Sequence, residues 1–128
     1  MMSKIRKEGL AYLRRMPGYR PSEPAAVSRF YKAEESWTGK CAWWFDLPIQ
    51  TIKRNKLSNY YLLGQSRKGG FTVLEVPNSF LLKNLKEFET RYQNRVRLHI
   101  AAEGKNQFVD ERGKGNVDFS RFERKTPC

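Results

Sequence analysis

The stretch YYLLGQSRKGGFTVLEV, residues 60–76, decides the fold class of this 128-residue chain. Two apolar runs, 60–65 and 71–76, are rich in aromatic, aliphatic and β-branched side chains and enclose the turn-forming segment 66–70. This pattern is typical of a β-hairpin, and Pro77 ends its second strand because proline cannot donate a ladder hydrogen bond. The stretch therefore predicts two antiparallel strands near the middle of the chain.

Two further segments, one on each side of the hairpin, carry strand patterns. The run 41–45, Cys-Ala-Trp-Trp-Phe, is too short and too aromatic for a helix. Residues 95–101 alternate between apolar side chains and the polar side chains of Arg95, Arg97 and His99. Because alternate residues of a strand face opposite sides of a sheet, this segment predicts a half-buried strand with a basic open face.

Helical patterns occupy the N-terminus and three later segments. Residues 3–16 predict a helix with Ser3 as its N-cap, and residues 22–31 predict a second helix. Residues 49–56 have helical spacing for a turn or two, and residues 78–88 carry the clearest amphipathic face in the chain.

The resulting order is helix, helix, three strands, helix, strand, which predicts one α+β domain over residues 1–128. We expect N-terminal helices and a central, mostly antiparallel sheet of about four strands, with a helix before the last strand. Residues 1–20 are predicted to form a basic N-terminal helix, and residues 103–128 a polar, loosely structured C-terminal tail. We recognise no internal repeat in the sequence.

The charge of the chain is its most unusual compositional feature. Lysine and arginine number 25 against 13 acidic residues, giving a net charge of +12 and an isoelectric point near 10.0. A domain this basic is expected to meet a polyanion, most often a nucleic acid. Residues 1–20 hold six basic residues against one acidic residue. We therefore predict that this segment shares a surface with Arg95 and Arg97.

The cysteine and histidine content excludes several classes of protein. One histidine, His99, and two cysteines, Cys41 and Cys128, cannot supply the ligands of a structural zinc site or a disulfide framework. Two thiols and an N-terminus without a signal-like apolar run predict a reducing, cytoplasmic location. No window approaches about 18 consecutive apolar residues, so we expect no membrane partner, and no motif predicts a cofactor or a bound metal.

We expect the chain to be a non-catalytic module that binds DNA or RNA through its phosphates. Exposed aromatic side chains beside Lys and Arg stack on the bases of single strands. Arg95 and Arg97 stand about 7 Å apart on one side of a strand, close to the spacing of successive phosphates. The predicted nucleic-acid-binding residues are Arg14, Arg15, Lys53, Arg54, Arg67, Lys68, Arg95, Arg97 and Trp44.

A nuclease is the first alternative. The order helix, three strands, helix and strand, with Glu75-Val76-Pro77 on the third strand, resembles the core of the restriction-endonuclease-like (PD-(D/E)xK) fold. That resemblance implies acids that hold a divalent metal, and the acids available for this role are Glu34, Asp46 and Glu75. Proline stands where the family has its lysine, which argues against catalysis. A metal-free ribonuclease needs only Lys, Arg, Tyr or His, with His99 as its acid.

The second alternative is a subunit of a larger assembly. The basic face would then bind an acidic surface of a protein partner, and a homo-oligomer is also compatible with the sequence. Net charge predicts an anionic partner without specifying its chemical class.

Overall fold

The central hairpin and its flanking strands form as the sequence predicts, in a computed structural model that describes residues 3–36, 38–90 and 94–124. The hairpin turn is closed by a backbone hydrogen bond of 3.0 Å, which the N–H of Ser66 donates to the carbonyl of Gly70. Gly69 and Gly70 adopt positive φ, which glycine alone tolerates freely, so the turn depends on both. The helices and strands in chain order are α1 (Lys4–Arg14), β1 (Ala25–Ser28), β2 (Ala42–Pro48), α2 (Ile49–Arg54), β3 (Asn59–Gln65), β4 (Phe71–Pro77), α3 (Asn78–Lys83), β5 (Arg95–Ala101) and β6 (Glu123–Arg124).

The strands divide into two sheets. One is a mixed four-stranded sheet in the order β1-β3-β4-β6, in which β1 is parallel to its neighbour and the other pairs are antiparallel. The other is an antiparallel pair, which we call the β2–β5 ribbon. The α+β class and the N-terminal helix are confirmed, whereas β2 and β5, which we expected in the central sheet, lie in a layer of their own.

The main core lies between the four-stranded sheet and the β2–β5 ribbon. Inward side chains of all four long strands are buried there, including Trp43, Leu62 and Leu98. Trp43 packs directly over Gly64, where a β-carbon would overlap the indole ring. Its indole N–H donates to the carbonyl of Gln65 at 2.9 Å, so the polar atom of this buried ring is satisfied.

α1 covers the other side of the four-stranded sheet. Ser3 caps its N-terminus through a hydrogen bond to Oγ, as predicted. The buried face of the helix, centred on Leu13, packs on Tyr61, Leu63 and Val73 from β3 and β4. The layers are therefore α1, the four-stranded sheet and the β2–β5 ribbon, and within the described ranges no helix packs on the outer side of the ribbon.

The prediction of a second helix over residues 22–31 is wrong, because Ala25–Ser28 forms β1, parallel to β3. The carbonyl of Pro24 accepts the backbone N–H of Tyr61 at 2.9 Å, which docks the segment at the edge of the sheet. Val27 then packs against α1. Tertiary packing of a short, proline-flanked segment has overridden an apolar spacing that also fits a helix.

The C-terminal segment is more ordered than the sequence predicts. Phe119 is fully buried and Phe108 is 5% exposed, and both belong to the main core. β6 then adds to the edge of the four-stranded sheet beside β4. The prediction of a loosely structured tail over residues 103–128 is therefore wrong for the part up to residue 124, since two aromatic anchors suffice to fix a polar segment.

The four long strands form an internal repeat. One unit is β2-α2-β3 and the other is β4-α3-β5, and the first strand of each pairs with the second strand of the other over seven residue pairs. If 29 is added to the number of each β2 residue and 36 is subtracted from the number of its β5 partner, the β2–β5 pairs become the β4–β3 pairs. Pro48 opposite Arg95 thus becomes Pro77 opposite Asn59. The two units therefore pair with each other in the way that the two subunits of a symmetric dimer do, but within one chain.

The strand–helix junctions of the two units are also equivalent. Pro48 and Pro77 end the first strands and form the N-caps of α2 and α3. Asn55 and Asn84 follow the helices, and each side-chain amide donates to the carbonyl four residues earlier, at 2.7 and 2.9 Å. α3 therefore ends before residue 88, where we expected it to end. No helix in the described part of the chain is long and apolar enough to cross a membrane.

Candidate nucleic-acid interface

The outer side of the β2–β5 ribbon carries a polar and aromatic surface, which we call the ribbon face. It consists of Trp44, Asp46, Arg95, Arg97 and His99. The register places Trp44 opposite His99 and Asp46 opposite Arg97. Because side chains alternate along a strand, all five point away from the main core. The structure thus brings three of the predicted binding residues, Trp44, Arg95 and Arg97, onto one surface.

An aromatic stack stands at one end of the ribbon face. Trp44 is 41% exposed, and its indole stacks on Tyr31 with ring centroids 4.4 Å apart and planes 14° from parallel. The Arg29 guanidinium lies 3.9 Å from the centre of the Tyr31 ring. Two 3.0 Å backbone hydrogen bonds between Tyr31 and Ala42 hold the stack, and Ser28 Oγ accepts the backbone N–H of Trp44 at 2.8 Å. An exposed aromatic ring is therefore held in a fixed position.

His99 is buried, although its place after Arg95 and Arg97 on an open strand face predicts an exposed side chain. The Trp44 ring packs edge-on against it with centroids 4.6 Å apart, and Ser36 Oγ lies 3.4 Å from Nε2. Burial, and after it the charge of Arg112, lowers the pKa of His99 to about 4. The imidazole is neutral at pH 7 and lies away from solvent, so it is poorly suited to the acid role in a metal-free ribonuclease.

A loop anchored by Asp110 brings Arg112 to the ribbon face. The buried Asp110 carboxylate accepts the backbone N–H groups of His99 at 2.9 Å, Arg112 at 3.2 Å and Gly113 at 3.2 Å. Burial raises the pKa of Asp110, and these three hydrogen bonds oppose the shift. Arg112 lines a cavity of about 200 Å³ together with the ribbon face.

A second cavity connects the ribbon face to α1. Arg95 Nε donates to Asp46 Oδ1 at 2.6 Å, and both residues line a cavity of about 390 Å³ with Tyr60 and with Arg6 from α1. The predicted proximity of residues 1–20 to the basic strand face therefore holds for Arg6.

The other six predicted binding residues lie elsewhere: Arg14 and Arg15 at the end of α1, Lys53 and Arg54 in α2, and Arg67 and Lys68 in the β3–β4 turn. The four-stranded sheet and the main core separate Arg14 and Arg15 from the ribbon face, so the predicted shared surface is wrong for these two. The basic residues of α2 and of the β3–β4 turn lie at opposite ends of β3. Arg67 forms an ion pair of 2.7 Å with Glu103.

The three acids of the nuclease alternative do not come together. Asp46 is on the ribbon face, Glu75 is on the α1 side of β4, and Glu34 is exposed in a short 3₁₀ turn. Glu75 accepts hydrogen bonds from Arg124 at 2.9 Å and from Asn59 at 3.2 Å. In residues 3–36, 38–90 and 94–124 no group of three His, Cys, Asp or Glu side chains could hold a metal ion.

A larger cavity, about 540 Å³, lies on the α1 side near β6. Its buried carboxylate, Glu23, accepts the backbone N–H of Asn59 at 3.1 Å and the hydroxyl of Tyr61 at 3.4 Å. Burial raises the pKa of Tyr61 to about 12. Three arginines and three glutamates line this cavity, so its charges balance and it attracts a polyanion less than the ribbon face does.

The sequence analysis did not name Arg29, Tyr31 and Arg112, which lie around the ribbon face, whereas Arg6 belongs to the segment 1–20 that was predicted to lie near it. A signal exists for two of them, because Phe30 packs against the main core while Arg29 and Tyr31 on either side point outward. That alternation indicates extended chain. Arg6 and Arg112 reach the surface through long-range packing, for which no local pattern exists.

Comparison with protein-family models, with curated proteins and with solved structures finds no match for this chain.

Proposed function

We propose that this protein binds single-stranded nucleic acid, DNA or RNA, on the ribbon face. The observation that carries the proposal is the exposed Trp44 ring, stacked on Tyr31 and bordered by arginines. Stacking of a base on such a ring contributes about 1–3 kcal/mol and tolerates any sequence. A duplex keeps the faces of its bases inside the stack, so an exposed aromatic favours a single strand.

The charge around Trp44 supports a phosphate backbone as the ligand. Six basic residues border the ribbon face against four acidic ones; they are Arg6, Arg29, Lys40, Arg95, Arg97 and Arg112 against Glu35, Asp46, Glu89 and Glu111. The ion pairs of Arg29 with Glu35 and of Arg95 with Asp46 are exposed to solvent. Such pairs contribute about 0–1 kcal/mol, so phosphates can replace the carboxylates at little cost.

The ribbon face is long enough for several nucleotides. A seven-residue strand such as β2 spans about 23 Å. The basic residues continue beyond both of its ends, to Arg29 beside the aromatic stack and to Arg6 beside Arg95. We infer that the bound nucleic-acid strand runs from Arg29, past Trp44, to Arg6.

Binding of fluorescently labelled oligonucleotides of about 12 residues tests this proposal. Fluorescence anisotropy at low salt should show retention of a single-stranded oligothymidine, and affinity that falls as salt rises with a slope of about 0.7 per phosphate contact. The substitution Arg97→Ala should weaken binding and lower the salt slope by about one contact. The matched variant Arg14→Ala removes the same charge from the far side of the sheet and should leave the salt slope unchanged.

Absence of binding by any single strand at low salt contradicts the proposal. Equal effects of the Arg97 and Arg14 variants contradict the assignment to the ribbon face. Retention of an acidic protein in place of any oligonucleotide favours the assembly-subunit alternative.

A further inference from the structure

The cavity beside Trp44 has a volume of about 200 Å³, which is the size of a site for one small chemical group. Pockets for drug-sized ligands measure roughly 300–1,000 Å³, so this cavity suits one planar ring system better than a larger molecule. Its lining includes Asp46, Arg97 and Arg112, with Trp44 and His99 forming aromatic walls. It therefore combines aromatic surface, a carboxylate and guanidinium groups.

The charged groups of the cavity come from both strands of the ribbon and from the loop that Asp110 anchors. Asp46 on β2 lies directly opposite Arg97 on β5, and Arg112 enters from the Asp110-anchored loop. The Asp46 carboxylate accepts one hydrogen bond from Arg95, and a carboxylate has acceptor capacity for about four. Its side chain is 48% exposed, so it also remains accessible to a ligand. A ligand in this cavity meets acceptors from the carboxylate and donors from the guanidinium groups.

Guanine matches this arrangement best among the nucleobases. Its N1–H and N2–H groups are adjacent donors that suit the two oxygens of a carboxylate, and its O6 and N7 are adjacent acceptors that suit a guanidinium. Adenine offers a single exocyclic amino group between two acceptor ring nitrogens, and cytosine offers one beside a single acceptor ring nitrogen. Thymine and uracil offer one N–H between two carbonyl groups. Guanine alone presents a pair of neighbouring donors and a separate pair of neighbouring acceptors.

We propose that the cavity binds one guanine base of a single-stranded nucleic acid, with Asp46 accepting from N1 and N2 and an arginine of the cavity donating to O6 and N7. This inference rests on the proposed function of the ribbon face. Trp44 flanks the guanine ring, and the phosphates on either side lie among the surrounding basic residues. Neighbouring nucleotides bind without base selection, so the preference concerns one position.

Oligothymidines with a single substituted central position test the guanine site. The central base is guanine, hypoxanthine without the N2 amine, 7-deazaguanine without N7, or thymine, in deoxyribose and ribose series that show which sugar is preferred. Anisotropy should show about ten-fold tighter binding for the guanine oligomer than for the thymine oligomer. Both analogues should lose part of that preference.

The substitution Asp46→Asn tests the same contact from the side of the protein, by changing the carboxylate that is proposed to bind guanine. An amide replaces one acceptor oxygen by a donor, which faces the donors of guanine, so the guanine-to-thymine affinity ratio should approach one. Asp46 is solvent-exposed, so folding of the variant should be preserved and is checked by circular dichroism. The control Glu8→Gln removes an exposed carboxylate on α1 and should keep the wild-type ratio.

The outcomes separate this proposal from the proposed function. Equal affinity of the guanine and thymine oligomers, with both bound, overturns the guanine site alone. A guanine preference that survives Asp46→Asn overturns the role of the carboxylate. Failure of every oligomer to bind overturns the binding function and the guanine site together.

Discussion

The β3–β4 hairpin and the β2–β5 ribbon are built to one plan but have opposite outer surfaces. The outer side of the hairpin packs against α1 and carries Tyr61, Leu63 and Val73. The positions equivalent to these three in the ribbon hold Arg97, His99 and Trp44. One surface is apolar and covered, whereas the other is polar, aromatic and without a covering helix among the described residues.

This difference shows that the fold requires apolar residues at the inward positions of the strands, whereas it leaves the residue type at the outward positions open. Inward positions of both units are apolar because both fill the same core, as the pair Phe45 and Leu74 illustrates. Whether an outward position is apolar or polar depends on whether a helix packs over it, because an exposed aliphatic surface would promote aggregation. Trp44, at a position where the other unit has a buried valine, packs on Tyr31 and His99 but keeps 41% of its surface exposed, and in our proposal this surface contacts a base.

The largest effect that tests the comparison is on stability. Leu13→Ala removes the centre of the α1 contact and should lower the free energy of unfolding by about 2–5 kcal/mol. Trp44→Ala on the ribbon face should cost less, about 1–2 kcal/mol, because 41% of the residue is already exposed and the lost contacts are the stack on Tyr31 and the edge contact with His99. Urea denaturation measures both. A Trp44 variant as unstable as the Leu13 variant would show that the ribbon face is part of the core.

A second effect concerns pH, because His99 is equivalent to Leu63. The pKa of His99 is lowered in the folded state to about 4 from the ordinary 6.5, so the unfolded chain binds the proton more tightly. Stability from this group is fully present above pH 6.5 and is lost as the pH falls towards 4, by roughly 3 kcal/mol at most.

The substitution His99→Leu should therefore flatten the decline in stability between pH 6.5 and pH 4. Asp110, whose pKa burial raises, contributes with the opposite sign in the acid range, and both proteins retain it. The difference between the two pH profiles isolates His99. Parallel profiles from chemical denaturation would mean that the imidazole is accessible to protons in the folded protein.

The smallest effect compares the equivalent acids Asp46 and Glu75. Asp46→Asn breaks one exposed ion pair and should cost less than about 1 kcal/mol. Glu75→Gln affects two hydrogen bonds, from Arg124 and Asn59, at a less exposed site and should cost about 1–2 kcal/mol. Thermal unfolding at neutral pH ranks the two variants. The reverse order would indicate that the ion pair of Asp46 with Arg95 stabilises the ribbon more than its exposure implies.

The local elements were predictable where one strong signal decided them. Strict alternation places β5 at Arg95–Ala101, with the predicted bounds, and Ser3 marks the start of α1. β1 was not predictable in this way, because Ala25–Ser28 becomes a strand only by docking beside β3. The burial of His99 likewise depends on Trp44 and on a distant loop.

The internal repeat and the composition of the site show a second limit. The repeat leaves a sequence trace, Asp-Leu-Pro at 46–48 and Glu-Val-Pro at 75–77, with an asparagine seven residues after each proline. A search at a fixed offset of 29 would find it, whereas block composition does not. Trp44, Arg95 and Arg97 could be named from strand patterns, but Arg6 and Arg112 join them through contacts distant in sequence.

An NMR titration of the ¹⁵N-labelled protein with a single-stranded oligonucleotide tests the central claim most directly. The claim is that nucleic acid binds the ribbon face rather than the basic surface as a whole. We predict that the largest shifts occur at the Trp44 indole N–H and at the backbone of Arg97 and Arg112. Largest shifts at Arg14 and Arg15 on α1, with the Trp44 signal unmoved, would contradict the account.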